Sequence, residues 1–116
     1  MLTKEEYEET AAAAELQALN GLWAYSIPDH IDIREFSFED RKKLFFWLFE
    51  HLLKERRIKL AKHGQFLEGT VDEQIERFRQ AFPKTETEME DGIWFFDEAC
   101  PGGAVWVLED GSFEWT

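Results

Sequence analysis

At 116 residues, 44% hydrophobic and 16% aromatic, the chain suits one domain with an ordinary core and is too apolar for disorder. Its net charge of −12, from 25 acids against 13 bases, makes free nucleic acid an unfavourable ligand. The longest apolar run, Leu44–Phe49, is far short of the ~18 residues of a membrane span, the acidic start MLTKEEYEE has no leader character, and a lone cysteine excludes an internal disulfide. A cytoplasmic protein without membrane attachment is therefore expected.

The charge is unevenly placed. Residues 1–15 hold five acids and one base, residues 16–83 eleven of each, and residues 84–116 nine acids and one base. A solvated acidic face is the ordinary reason for such ends. Attraction to a basic partner is the sharper one.

The first helix starts at a capping-box pattern. Thr3 can cap Glu6 and Glu6 can return the bond, with Leu2 and Tyr7 in the staple positions. The alanine run carries the helix through Leu16 and Leu19, and Gly21 is its expected stop. Leu22 to Phe36 reads as an irregular connection anchored by Trp23 and Tyr25. Ser37 then caps a second helix whose first turn is acidic and whose middle, LFFWLF, is apolar on every side. All-round apolarity implies burial on several sides, so this helix is placed centrally.

Ile58–Glu68 can form a short hairpin with His63-Gly64 as its turn, Leu60 facing Leu67 and Lys59 facing Glu68. Thr70-Val71-Asp72-Glu73 is a further capping box. Val71, Ile75, Phe78 and Phe82 follow on one helical face, and Pro83 ends that helix. Lys84–Asp91 has no apolar period and reads as a solvated acidic connector with room for one helical turn.

Gly92–Trp115 holds three of the five tryptophans. It reads as three short strands, the first being Ile93–Asp97. Asp110-Gly111 is the pair preferred by two-residue type I′ turns. A turn centred there sets Leu108 opposite Phe113 and Trp106 opposite Trp115, with Trp94 opposite Trp106 on the preceding strand. The expected core face is then Trp94, Trp106, Leu108, Phe113 and Trp115. Ile93, Phe95, Val105 and Val107 fall on the other face, beside Glu114 and Thr116. The expected fold is α+β: three helices packed on a C-terminal three-stranded antiparallel meander, with the short hairpin between helices two and three.

Catalytic chemistry finds little support. His30, His51 and His63 are scattered, and no HExxH, CxxC or phosphate-cradling glycine loop is present. Acids flank Cys100, which raises a thiol pKa and weakens the nucleophile. Adjacent acids such as Glu90/Asp91 could share a metal or a proton, but they arise by chance in so acidic a chain. No catalytic, cofactor-binding or metal-binding residue is expected, and the chain is not read as an enzyme. The candidate partner surface is instead the outer sheet face, Phe95 and Val107, with the loop and turn acids Asp97, Glu98, Glu109, Asp110 and Glu114. An apolar patch rimmed by one sign of charge often marks an interface.

FEDRKKLFFWLFEHLL, GTVDEQIERFRQAFP and GIWFFDEACPGGAVWVLEDGSFEW resemble a bacterial family of small acidic proteins of formerly unknown function. Some of its members are immunity proteins encoded beside toxins of contact-dependent growth inhibition and related polymorphic toxin systems. CPGGAVW with the following EDG turn is the most distinctive part. The resemblance implies a cytosolic protein that binds one cognate toxin domain, often a nuclease, and blocks it; it carries over no active-site residue. A basic nuclease cleft would complement an acidic inhibitor. The competing expectation is a structural or interaction protein that forms a homodimer through its C-terminal sheet.

Overall fold

Three capping boxes frame the helices. In the computed structural model, which describes residues 1–116, Thr3 accepts from the Glu6 N–H and Glu6 accepts from the Thr3 N–H. Ser37 with Asp40 and Thr70 with Glu73 repeat the reciprocal bonds. Each box satisfies two N–H groups that a helix start leaves without partners. The elements in chain order are α1 (Lys4–Ala14), α2 (Leu19–Ala24), a 3-10 turn at Ile33–Glu35, α3 (Phe38–Lys54), β1 (Ile58–Lys62) and β2 (Gln65–Phe66). There follow α4 (Val71–Ala81), α5 (Glu86–Met89), a 3-10 segment at Glu90–Phe96, β3 (Gly103–Val107) and β4 (Phe113–Trp115). No helix is long and apolar enough to cross a membrane.

The first helix is shorter than its alanine run suggests. α1 ends at Ala14, and Leu16 reverses the chain at φ 67°. Gly21, expected to end the helix, lies inside α2 instead. The Gln17 side chain occupies the space above it, so a Cβ there would meet Gln17 Oε1 at 2.3 Å. The small residue lets the α1–α2 corner close.

α3 is the centre of the core, as its all-round apolarity requires. Phe45, Leu48, Phe49 and Leu52 are each 0% exposed. The Phe45 ring lies 5.3–5.8 Å from those of Trp23, Phe46, Phe49, Phe82 and Phe95. Burying each such side chain is worth roughly 1.5–3 kcal/mol. α3 ends in a Schellman motif: Arg57 N–H donates to Leu52 O at 2.9 Å and Arg56 N–H to Leu53 O at 3.1 Å.

The α+β architecture is as expected, with helices packed on an antiparallel sheet. The sheet has four strands in the order β2-β1-β3-β4. Its hairpin register is the one read from His63-Gly64, with Ala61 paired to Phe66 and Leu67 N–H donating to Leu60 O. Lys59 makes no ion pair with Glu68; its ammonium lies 5.0 Å from the Phe66 ring centroid.

The C-terminal strands differ from expectation in two ways. Ile93–Asp97 is not a strand, and β1 takes the place beside β3, setting Ile58 opposite Trp106. The Trp94–Trp106 pair therefore does not form. The last turn also holds three residues rather than two. Leu108 N–H donates to Ser112 O at 2.8 Å and Gly111 N–H to Leu108 O at 2.9 Å, with Gly111 at φ 85°. That is a turn closed by a left-handed glycine bulge. The extra residue shifts the register by one, so Val105 faces Trp115, Trp106 faces Glu114 and Val107 faces Phe113. A one-residue slip exchanges the faces. Trp106 keeps the core side with Ile58, Leu60 and Ala104, while Phe113 and Trp115, expected in the core, lie on the outer face at 40% and 47% exposure. There they close over Phe66 of the opposite edge strand, at 5.2 and 5.1 Å between rings. The sheet is thus curled until its two edges meet.

Candidate functional site

The segment between α4 and β3 turns a plain acidic stretch into a shaped corner. Thr85 caps α5 by accepting from the Glu88 N–H at 3.2 Å. The helix then stops abruptly, because Glu90, Asp91 and Gly92 adopt φ of 52°, 56° and 95° in succession. Only glycine takes that region without steric cost; each of the two acids gives up about 1 kcal/mol there. Packing holds the run in place. A Cβ on Gly92 would sit 3.3 Å from Asn20 Cβ. Met89, Trp94 and Phe95 are buried, with Trp94 5.3 Å from the Phe82 ring and Phe95 5.4 Å from Phe45.

Past this kink the backbone continues as a 3-10 turn, in which residues three apart share a face. Trp94 and Phe95 consequently point inward together, and Ile93 and Phe96 point outward together at 61% and 67% exposure. Glu88, Glu90 and Asp97 surround them, lining with Trp94 a shallow depression of about 150 Å³. Residues 84–98 carry six acids against one base. The result is a pair of exposed apolar side chains on a rigid, buried footing within a ring of carboxylates. Arg41 helps hold it: its guanidinium stacks 4.4 Å from the Trp23 ring centroid and donates to Trp23 O at 2.9 Å. Burial pulls the Arg41 pKa down, against the opposing pull of Asp91 and Glu86.

The residues expected at a partner surface separate. Asp97 is exposed on this corner and accepts from the Ala99 N–H at 3.0 Å. Glu98 follows it but faces two partners, the His63 ring Nε2 at 3.1 Å and the Lys62 ammonium at 3.5 Å. The hydrogen bond from His63 and the Lys62 charge hold its carboxyl below the usual range. Lys62 also donates to the Glu98 and Cys100 carbonyls, tying this loop to the β1–β2 hairpin. Glu109 and Asp110 stand at the far end of β3, about 17 Å of strand away. Asp110 accepts from both the N–H and Oγ of Ser112, which lowers its pKa. Glu114 lies opposite Trp106 and so does not join Val107, which is half-buried on the outer face beside Phe113. Phe95 is corrected outright: at 7% exposure it belongs to the core cluster around Phe45.

Phe96 and Glu88 are the residues that sequence reasoning missed, while Ile93, expected on the outer face, and Glu90, weighed only as one of a pair of adjacent acids, were not assigned to a partner surface. The signal available was the spacing of three between Ile93 and Phe96, which competes with the two-residue alternation of a strand. Cys100 is 2% exposed and its thiol donates to Gly102 O at 3.3 Å; burial pushes its pKa up to about 11. A thiol so placed stays protonated and is a poor nucleophile. No three His, Cys, Asp or Glu side chains converge to hold a metal ion.

Residues 53–116 match a family described as a protein of unknown function, DUF596. A solved structure, an uncharacterized protein conserved in bacteria from Neisseria meningitidis, is similar at a TM-score of 0.78 with 32% identity, over 97% of this chain and 88% of that one. No curated protein matches. The match spans β1 to β4 and so includes both the hairpin and the acidic corner; the chain belongs to the DUF596 family.

Proposed function

We propose that this protein acts without catalysis, as a cytoplasmic immunity protein that binds and neutralises a cognate toxin domain with a basic surface, such as a nuclease. The observation that carries the reading is the exposed Ile93–Phe96 pair within Glu88, Glu90 and Asp97, set on a strained backbone that packing holds rigid. Strain of this kind gathers where a surface must be presented in one conformation. An apolar centre desolvated on contact supplies affinity, and the surrounding acids steer a basic partner and raise the association rate. A rigid footing also reduces the ordering cost of binding. The resemblance to immunity proteins agrees with that physical reading, and the excess of nine acids to one base over residues 84–116 is of the right sign for a nuclease cleft.

The test is co-expression with the toxin domain encoded beside the gene. The intact protein should restore growth and Phe96→Glu should fail to, with both variants equally folded. No protection by the intact protein would overturn the reading.

A second reading, a homodimer through the sheet, draws on the outer-face aromatics Phe66, Phe113 and Trp115, which are 39–47% exposed. Light scattering separates the two: a dimer should be lost with Trp115→Ala and kept with Phe96→Ala.

A further inference from the structure

The sequence KERRIKLAK at residues 54–62 carries five bases and one acid inside a chain of net charge −12. Three of those cations are neutralised: Lys54 by Glu50, Arg57 by Glu8 and Lys62 by Glu98. Arg56 and Lys59 have no carboxylate within 4.0 Å. Both lie on one cleft of about 430 Å³, larger than the depression at the acidic corner and within the range of small-molecule pockets. Its apolar lining includes Leu53, Ile58, Leu67 and Val71. The cleft exists because β2 stops after Phe66, leaving the first half of β1 without a neighbour on that side.

Two backbone features aim at this cleft. Arg57 O accepts from Val107 and Leu60 O accepts from Leu67, so alternation along β1 directs the Ile58 N–H and C=O toward the β2 side, beyond the end of β2. A free strand-edge N–H is an anion donor. Arg56 is held left-handed, at φ 60°, at the Schellman position that glycine usually fills. The chain thus carries an arginine, at a steric cost, at a position that lines the pocket.

We infer that this cleft binds a small amphipathic carboxylate. Its head group lies between Arg56, Lys59 and the Ile58 N–H, and its apolar body lies on Leu53, Leu67 and Val71. The ligand carries an anionic head and an apolar tail short enough for a cleft of about 430 Å³, along whose lining Leu53 and Val71, in the first turn of α4, supply apolar surface. This site is separate from the acidic corner, and it stands whether or not the protein neutralises a toxin.

The experiment uses the full chain titrated with decanoate, decanol and decylamine below their aggregation concentrations, followed by calorimetry and by amide shifts in NMR spectra. Decanoate should bind saturably and shift the Ile58, Leu67 and Val71 amides, decanol should bind at least tenfold more weakly, and decylamine should not bind. Removing either cation, Arg56→Gln or Lys59→Gln, should weaken decanoate about tenfold, whereas Arg34→Gln should not. Lys59→Glu, at an exposed position, should reduce the preference for decanoate over decylamine by at least a hundredfold. Absence of saturable decanoate binding, equal binding of decanol, or shifts confined to other regions would overturn the inference.

Discussion

Trp106 Nε1 donates to the Gln17 carbonyl oxygen at 2.8 Å, joining β3 to the α1–α2 turn across most of the chain. The bond is a polar link between the N-terminal helices and the sheet at a tryptophan that is 4% exposed. Trp106→Phe keeps an aromatic ring there but leaves the Gln17 carbonyl without its donor. The expected loss is ~1–3 kcal/mol of unfolding free energy in urea. A loss under about 0.5 kcal/mol would mean that water replaces the donor without penalty.

The tryptophans separate by role. Trp23 is 1% exposed and packs on Phe38, Phe45, Phe82 and Phe95, whereas Trp115 is 47% exposed on the outer face. Trp23→Ala should cost about 3–5 kcal/mol, and Trp115→Ala no more than about 1 kcal/mol. Iodide should quench Trp115 fluorescence and leave that of Trp23 nearly untouched. Equal costs would place Trp115 in the core and restore the two-residue turn.

Gly92 combines a φ of 95° with a Cβ position 3.3 Å from Asn20 Cβ. Gly92→Ala should therefore destabilise by about 1–2 kcal/mol. Because the kink sets the direction of the following 3-10 turn, the same variant should displace Ile93 and Phe96. Amide shifts concentrated in residues 88–97 would check this.

Glu98 links the loop before β3 to the hairpin. Its folded pKa lies below the ordinary 4.5, through the His63 hydrogen bond and the Lys62 charge. A carboxyl with a lowered folded pKa stabilises above its unfolded value, and that stabilisation is lost as pH falls through the folded value. The wild type should thus melt above Glu98→Gln at pH 6, with the gap closing as the pH drops below 4.5. Melting curves for the two proteins across pH 3 to pH 6 measure it directly; a gap that widens on acidification would have the wrong sign.

What was legible in the sequence was local. Thr3/Glu6, Ser37/Asp40 and Thr70/Glu73 each place a helix start through bonds spanning three residues, and His63-Gly64 places a hairpin through its own turn geometry. The alternation of Ile93, Trp94, Phe95 and Phe96 misled because all four are apolar and fit either period. What decided between strand and 3-10 turn was the left-handed run at Glu90–Gly92, held by contacts to α2 far away in sequence. Asp110-Gly111 misled by one residue, since the same dipeptide serves a two-residue turn and a three-residue turn with a glycine bulge. That single residue decided which face Phe113 and Trp115 occupy. The pairing of β1 with β3 is non-local, and no turn signal encodes it. Among the candidate residues, Asp97 was legible as an exposed loop acid, whereas the exposure of Ile93 and Phe96 depended on the kink.

The acidic corner is the surface proposed to meet a basic partner. The most direct measurement is the affinity of the purified protein for the toxin domain encoded beside it, at rising salt, for the wild type, Phe96→Ala and Asp97→Asn. The prediction is an association rate that falls with salt, slowed further by Asp97→Asn, and a dissociation rate at least tenfold faster for Phe96→Ala. Tight binding that is insensitive to salt and to both substitutions would contradict it.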